Sequence, residues 1–155
     1  MAWSGSEVFR AFVHSAFTDA NDMDLSADSI RAALYNNSIT PDQDATAANT
    51  AYNAGQWANT NEVSDTGQWD AKGVALTSLS VDQATAATVF FDAANTASGS
   101  SATLADVYGC LVLDDDATTV ADQGICFNYF GGVQSVTDGT FTIVWNANGI
   151  FRFTL

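Results

Sequence analysis

Apolar and polar positions alternate most tightly in the last third of the chain, Leu104 to Leu155. This stretch reads as strand, acidic turn, strand, Gly-rich loop, strand, Asn-Gly turn and strand. Phe141, Ile143 and Trp145 share one strand face, and across the Asn148-Gly149 turn Phe151, Phe153 and Leu155 share a face of the next. A closing strand with an apolar end must be held, inside the sheet or by a neighbouring subunit, or it frays. The same alternation predicts a strand over Ser29 to Tyr35, with Ile30, Ala32 and Leu34 on one face and Arg31, Ala33 and Tyr35 on the other. Asn36 to Asp42 ends it, because Asn tolerates left-handed backbone and Pro41 cannot continue a ladder. Thr88 to Asp92 is a further strand. Gly73 to Val81 is another, and its apolar phase shifts between Leu76 and Leu79 as at a bulge. The total is seven or eight strands.

Helical spacing appears in two places. From Ser4 to Ala20, Val8, Phe9, Phe12, Val13 and Phe17 recur every three or four residues, and Ser4 or Ser6 is available as N-cap. The Ala-rich run Ala45 to Gly55 predicts a short helix closed by Gly55. Between and after these lie polar connectors: Asp19 to Asp24, the long excursion Trp57 to Lys72 with Glu62-Val63 as a short strand, and the small-residue linker Ala93 to Ala102. The pattern predicts a mainly β fold, an antiparallel β-sandwich or barrel-like domain with an N-terminal amphipathic helix and a second short helix. Residues 1–26 would form the helix and its connector, and 27–155 the β domain.

Length and charge narrow this picture. A chain of 155 residues fits one domain with a substantial core. Four Lys and Arg against eighteen Asp and Glu give a net charge of −14, a field that repels phosphate backbones and anionic headgroups, so neither nucleic acid nor a membrane is the expected partner. Only 14% of residues are charged, so the surface must be largely neutral and polar, as in assembling β proteins. No apolar run reaches the roughly 20 residues of a membrane span. The first residues lack the basic start and apolar core of a secretion signal, which points to synthesis in a cytoplasm.

Candidate chemistry is sparse. Cys110 and Cys126 fall on strands expected to be neighbours. They read as two buried thiols, with a disulfide as the alternative. His14, the one histidine, has no nucleophile brought to it by sequence, and neither Cys has a basic neighbour to activate it. Asp114, Asp115 and Asp116 with Asp122 form the densest carboxylate cluster. A solvated hairpin turn explains it, and a structural calcium is the competing reading. Asp19 to Asp24 lacks the Gly and distal Glu of a calcium-binding helix-loop-helix and reads as a turn. Gly124, Gly131 and Gly132 are not followed by Gly-Lys-Ser/Thr, so they serve turns and bulges rather than phosphate. No acid pair stands out in an aromatic-flanked cleft, as glycoside hydrolysis needs. The residues therefore predict no enzyme, no cofactor and no dedicated metal. Trp57 and Trp69, near the ends of the long excursion, either pin it to its own domain or anchor an interface, where Trp is enriched.

The ordered segments ALYNNSITPD, NEVSDTGQW, GVALTSLSV, VFFDAAN and YGCLVLDDDATTVADQGICFNYFGGVQSVTDGTFTIVWNANGIF resemble small virion structural proteins of tailed bacteriophages, from about Ile30 onward. One departure is Leu113, where an aromatic is often seen. The resemblance implies a capsid decoration (cement) protein on the capsid exterior, clamping subunits of the major capsid protein, with self-association as a homotrimer. It specifies the scaffold better than the role. A tail, neck or head-fibre component, or a receptor- or carbohydrate-binding module, is the alternative. On the assembly reading, Trp3, Trp57 and Trp69 are the expected contact residues.

Overall fold

The computed structural model describes residues 3–83 and 87–155. It is mainly β, with 39% strand against 13% helix, and its sheets are antiparallel, as a sandwich-like domain requires.

The spine is a long hairpin of β8 (Ala102–Asp114) and β9 (Gly124–Gly139), joined by the acidic turn. On its inner flank β2 (Ile30–Tyr35) pairs with β8 over its whole length. The outer edge of β2 is shared by β3 (Glu62–Val63) and β4 (Val74–Ala75), while β1 (Glu7–Val8) adds to β9, giving a six-stranded sheet. Two small sheets complete the fold: β5 (Ser80–Asp82), β6 (Thr88–Asp92) and β11 (Phe151–Thr154), and the pair β7 (Thr96–Ala97) with β10 (Thr142–Ile143). The helices are α1 (Arg10–Thr18) and the single turn α2 (Ala47–Thr50).

Both faces of β2 are buried, as its apolar alternation allows. Tyr35, Leu111 and Phe127 share one face by register. On it sits an aromatic cluster: Trp57 stands edge-on to Tyr35 at 5.1 Å and to Trp3 at 5.8 Å, while Phe9 lies 5.3 Å from Phe127. Edge-to-face pairs of this kind stabilise beyond the area they bury. Room for the rings comes from two residues without side chains. A Cβ on Gly109 would fall 2.6 Å from the Trp3 ring, and one on Gly124 2.7 Å from Phe9.

Several segments differ from the pattern-based expectation. Helix α1 starts at Arg10, not Ser4, because Glu7 and Val8 join the edge of β9 and the Phe9 N–H donates to the Ile125 carbonyl. Neither Ser4 nor Ser6 caps it. Phe9 holds the cap position without a side-chain bond, and the Ser6 hydroxyl accepts from the Tyr129 N–H. The run from Ala45 is helical for one turn only, and Gly55 opens a 3-10 turn, Gly55–Trp57, with φ +52°. Gly73 to Val81 is two strands in two different sheets. The apolar phase shift marks the crossing, where Ser78 takes φ +55°. The Ala93 to Ala102 linker contains β7. Gly131 and Gly132 form no loop; β9 runs through them with a bulge, four residues (130–133) lying opposite Tyr108 alone. The Asn-Gly turn links strands of different sheets, not a hairpin, and the described residues form eleven strands against the expected seven or eight.

Candidate functional site

The three tryptophans expected at an interface are core residues. Trp3, Trp57 and Trp69 are 4%, 1% and 0% exposed, and all three belong to the hydrophobic core. The Trp3 indole N–H donates to the Asn36 carbonyl at 2.9 Å and that of Trp69 to the Ala32 carbonyl at 3.1 Å. Their surface is spent inside the domain, so they offer no contact area to a partner. The long excursion is pinned by its tryptophans, with Glu62 and Val63 paired to β2.

The carboxylates of the acidic turn do not converge on one point. Asp115 and Asp122 share the Lys72 ammonium, with Lys72 to Asp122 at 2.8 Å, and Arg31 reaches Asp115 at 3.6 Å. Burial works against the Lys72 charge, but hydrogen bonds and charge from the two acids outweigh it and hold its pKa above the ordinary value. Asp116 accepts from the Ser29 N–H at 2.8 Å. Asp114 is buried. One of its oxygens takes the Asp116 N–H at 2.9 Å, and the other has no hydrogen-bond partner among the described residues. Burial first, opposed by the Asp116 N–H and helped by the adjacent Asp28 carboxyl through charge and hydrogen bonding and by the Asp116 charge, pushes this carboxyl up to about 7. Among the described residues no cluster of three acid, His or Cys side chains has the geometry of a cation site. Asp115 and Asp122 are instead engaged in ion pairs with Lys72 and Arg31.

His14 is exposed on α1. Cys110 and Cys126 are free and buried, as two-thiol burial predicts, and do not face each other in the ladder: Cys110 lies opposite Asn128 and Cys126 opposite Val112. Burial pushes the Cys110 thiol up to about 12 and Cys126 well above its ordinary value, so both are protonated and inert as nucleophiles at neutral pH.

Two surface features remain. The first is an apolar face where α1 meets β11. Phe17, expected on the buried stripe, is 86% exposed, Phe153 is 39% and Leu155 is 88%. Val8, Val13, Phe17 and Phe153 line one shallow depression together with Glu7, Arg10, His14 and Gln43. Helix α1 is fixed there through Phe12, whose ring packs 5.8 Å from that of Phe151. Charge is distributed unevenly around this face. Of the four Lys and Arg, Arg31 and Lys72 are committed to the acidic turn, while Arg10 and Arg152 are exposed beside it. Arg10 makes only a solvent-exposed pair with Asp44, at 2.9 Å.

The second feature is a groove of about 520 Å³ between the outer part of β9 and the segment from Phe141 to Ile150. Its lining carries aromatic, amide and hydroxyl side chains. Sequence reasoning missed both features. The groove is assembled from two separated stretches, and the Phe17 spacing fits a buried stripe as well as an exposed edge.

No protein-family model, no curated protein and no solved structure matches this chain.

Proposed function

We propose that the protein is a structural component of a bacteriophage particle, a decoration protein on the capsid exterior that binds the major capsid protein and associates with itself through the α1–β11 face. The observation that carries this reading is that face. Two aromatic rings and a leucine stand exposed on a domain that buries its other large aromatics well, and contiguous exposed apolar surface marks a contact site. The occupant is a second copy of the chain, on grounds of charge. Two molecules of net charge −14 repel each other at range, and around this face Arg10, His14 and Arg152 stand with Glu7 and Asp44, a patch close to neutral where that repulsion is weakest. Function then rests on buried area and many copies rather than on chemistry, in keeping with inert thiols and a solitary histidine. Specific contacts bury about 800 Å² per partner, and repetition over a shell multiplies them.

Light scattering and sedimentation velocity test this reading. The native protein should run as a trimer, and Phe17→Ser, at a side chain 86% exposed, should give a monomer with an unchanged melting temperature. A native monomer up to about 1 mM sinks the self-association, since weaker contacts fall outside the range of specific interfaces. Cryo-electron microscopy of particles carrying the protein tests the location. Density on the tail or neck alone would refute the capsid reading. A second reading, a glycan-binding module on the same particle, is favoured by the groove beside β9.

A further inference from the structure

The groove along β9 differs chemically from the rest of the surface. None of its lining residues carries a charge at neutral pH, on a chain that has twenty-two charged residues. Its lining includes the half-buried Tyr129 and Phe130, whose rings also pack within the domain, Tyr129 stacked on Trp3 at 6.3 Å and Phe130 against Phe141 at 6.2 Å, and Trp145, whose indole N–H is held by the Thr96 hydroxyl at 3.1 Å. Some of its polar groups are committed within the domain, the Ser6 hydroxyl to the Tyr129 N–H and the Asn146 amide oxygen to Asn148, and others are not. Among the described residues the Gln134 amide, the Thr142 hydroxyl and the Tyr129 hydroxyl have no side-chain hydrogen bond, and the Asn128 amide oxygen receives only the long thiol contact from Cys126, at 3.6 Å. The volume lies within the range of small-molecule sites.

Each ligand class meets these groups differently. An anion is repelled by the net charge and finds no cation in the groove. A cation finds no carboxylate there. A purely apolar ligand would cover the amides and hydroxyls without giving them partners, at a cost for each. A neutral polyhydroxylated ligand satisfies all of them: side-chain amides offer a donor and an acceptor to each pair of adjacent hydroxyls, and the C–H faces of a pyranose ring lie on aromatic rings.

We infer that this groove binds a neutral oligosaccharide, held by Gln134, Thr142 and Asn128 against Phe130. The site is separate from the α1–β11 face and stands or falls independently of the proposed self-association.

Saturation-transfer NMR and titration calorimetry on the whole protein test it, with maltohexaose, triacetylchitotriose and mannotriose as neutral probes and trigalacturonate as the anionic control. At least one neutral probe should bind with a dissociation constant of about 1 mM or tighter, and the control should not. Gln134→Ala and Thr142→Val touch exposed positions without internal partners, so each should weaken binding roughly tenfold, the loss of one hydrogen bond to a ligand, and leave the melting temperature unchanged. Tyr129→Phe, which keeps the ring, should give a smaller loss. The inference is overturned if no neutral probe binds at 10 mM, if trigalacturonate binds as well as they do, or if binding survives Gln134→Ala and Thr142→Val unaltered.

Discussion

Asp114 places a carboxyl where water cannot reach it, with one oxygen unpartnered and Asp28 alongside. Its pKa is raised from 3.8 to about 7, so between those values the folded protein keeps a proton that the unfolded chain gives up. Stability contributed by this group is therefore full below pH 4, declines as pH rises toward 7, and levels off above it. Asp114→Asn keeps the acceptor for the Asp116 N–H and turns an amide donor toward Asp28. Thermal melts should show it close to native stability at pH 4 and about 1–2 kcal/mol more stable at pH 8, with the native slope abolished. A mutant that keeps the slope would place the proton elsewhere. Gly109 is the second residue on which much depends. An added methyl would lie 2.4 Å from the Asn128 carbonyl as well as against Trp3, and backbone cannot move aside as a side-chain tip can. Gly109→Ala should cost about 1–3 kcal/mol in urea unfolding and weaken the near-ultraviolet circular dichroism of the aromatic cluster.

At the scale of elements, the acidic turn between β8 and β9 is fastened to the residues just before β4 by one ammonium. Lys72→Met keeps the aliphatic stem but leaves Asp115 and Asp122 facing each other without their shared partner. The expected loss is about 1–2 kcal/mol at low salt, shrinking in 1 M sodium chloride as repulsion is screened; a loss independent of salt would assign the effect to packing. Strands long enough to carry their own alternation were legible in the sequence: β6 matches residue for residue, and β2, β8 and the start of β9 follow their apolar pattern. Among the two-residue strands, β3 was legible as Glu62-Val63 and β4 and β10 lay inside longer expected strands, but β1 and β7 were not, because they are strands only by virtue of the neighbour they pair with. Val8 and Phe9 illustrate the ambiguity, since their spacing to Phe12 and Val13 suits a helix, yet they lie on the extended segment that leads into one. Tryptophan was misread for a related reason. It is enriched in cores and in interfaces alike, and only Gly109 beside Trp3 and the Tyr35 hydroxyl bonded to the Trp57 carbonyl at 2.7 Å reveal which environment applies.

For the molecule as a whole, the division of labour follows from where charge and apolar surface end up. The buried core takes most of the aromatics, the acidic turn takes half of the cations, and Arg10 and Arg152 stand beside the exposed face of α1 and β11. The proposed association at that face and the proposed saccharide binding at the groove are separable, since Phe17 and Phe153 lie on α1 and β11 while Gln134 and Thr142 lie on β9 and β10. The joining of β1 to β9 carries a further consequence, for the order of events during folding. Ser6 meets Tyr129 across 123 positions of chain, and Trp3 stacks on the same tyrosine ring. The N-terminal rings are thus made long before the strand that covers them. Until β9 emerges they have no native shelter, and closing so distant a contact places the chain among slow, topology-limited folders, with acquisition times of milliseconds to seconds. During that interval a newly made chain depends on its own negative charge to keep it apart from its neighbours.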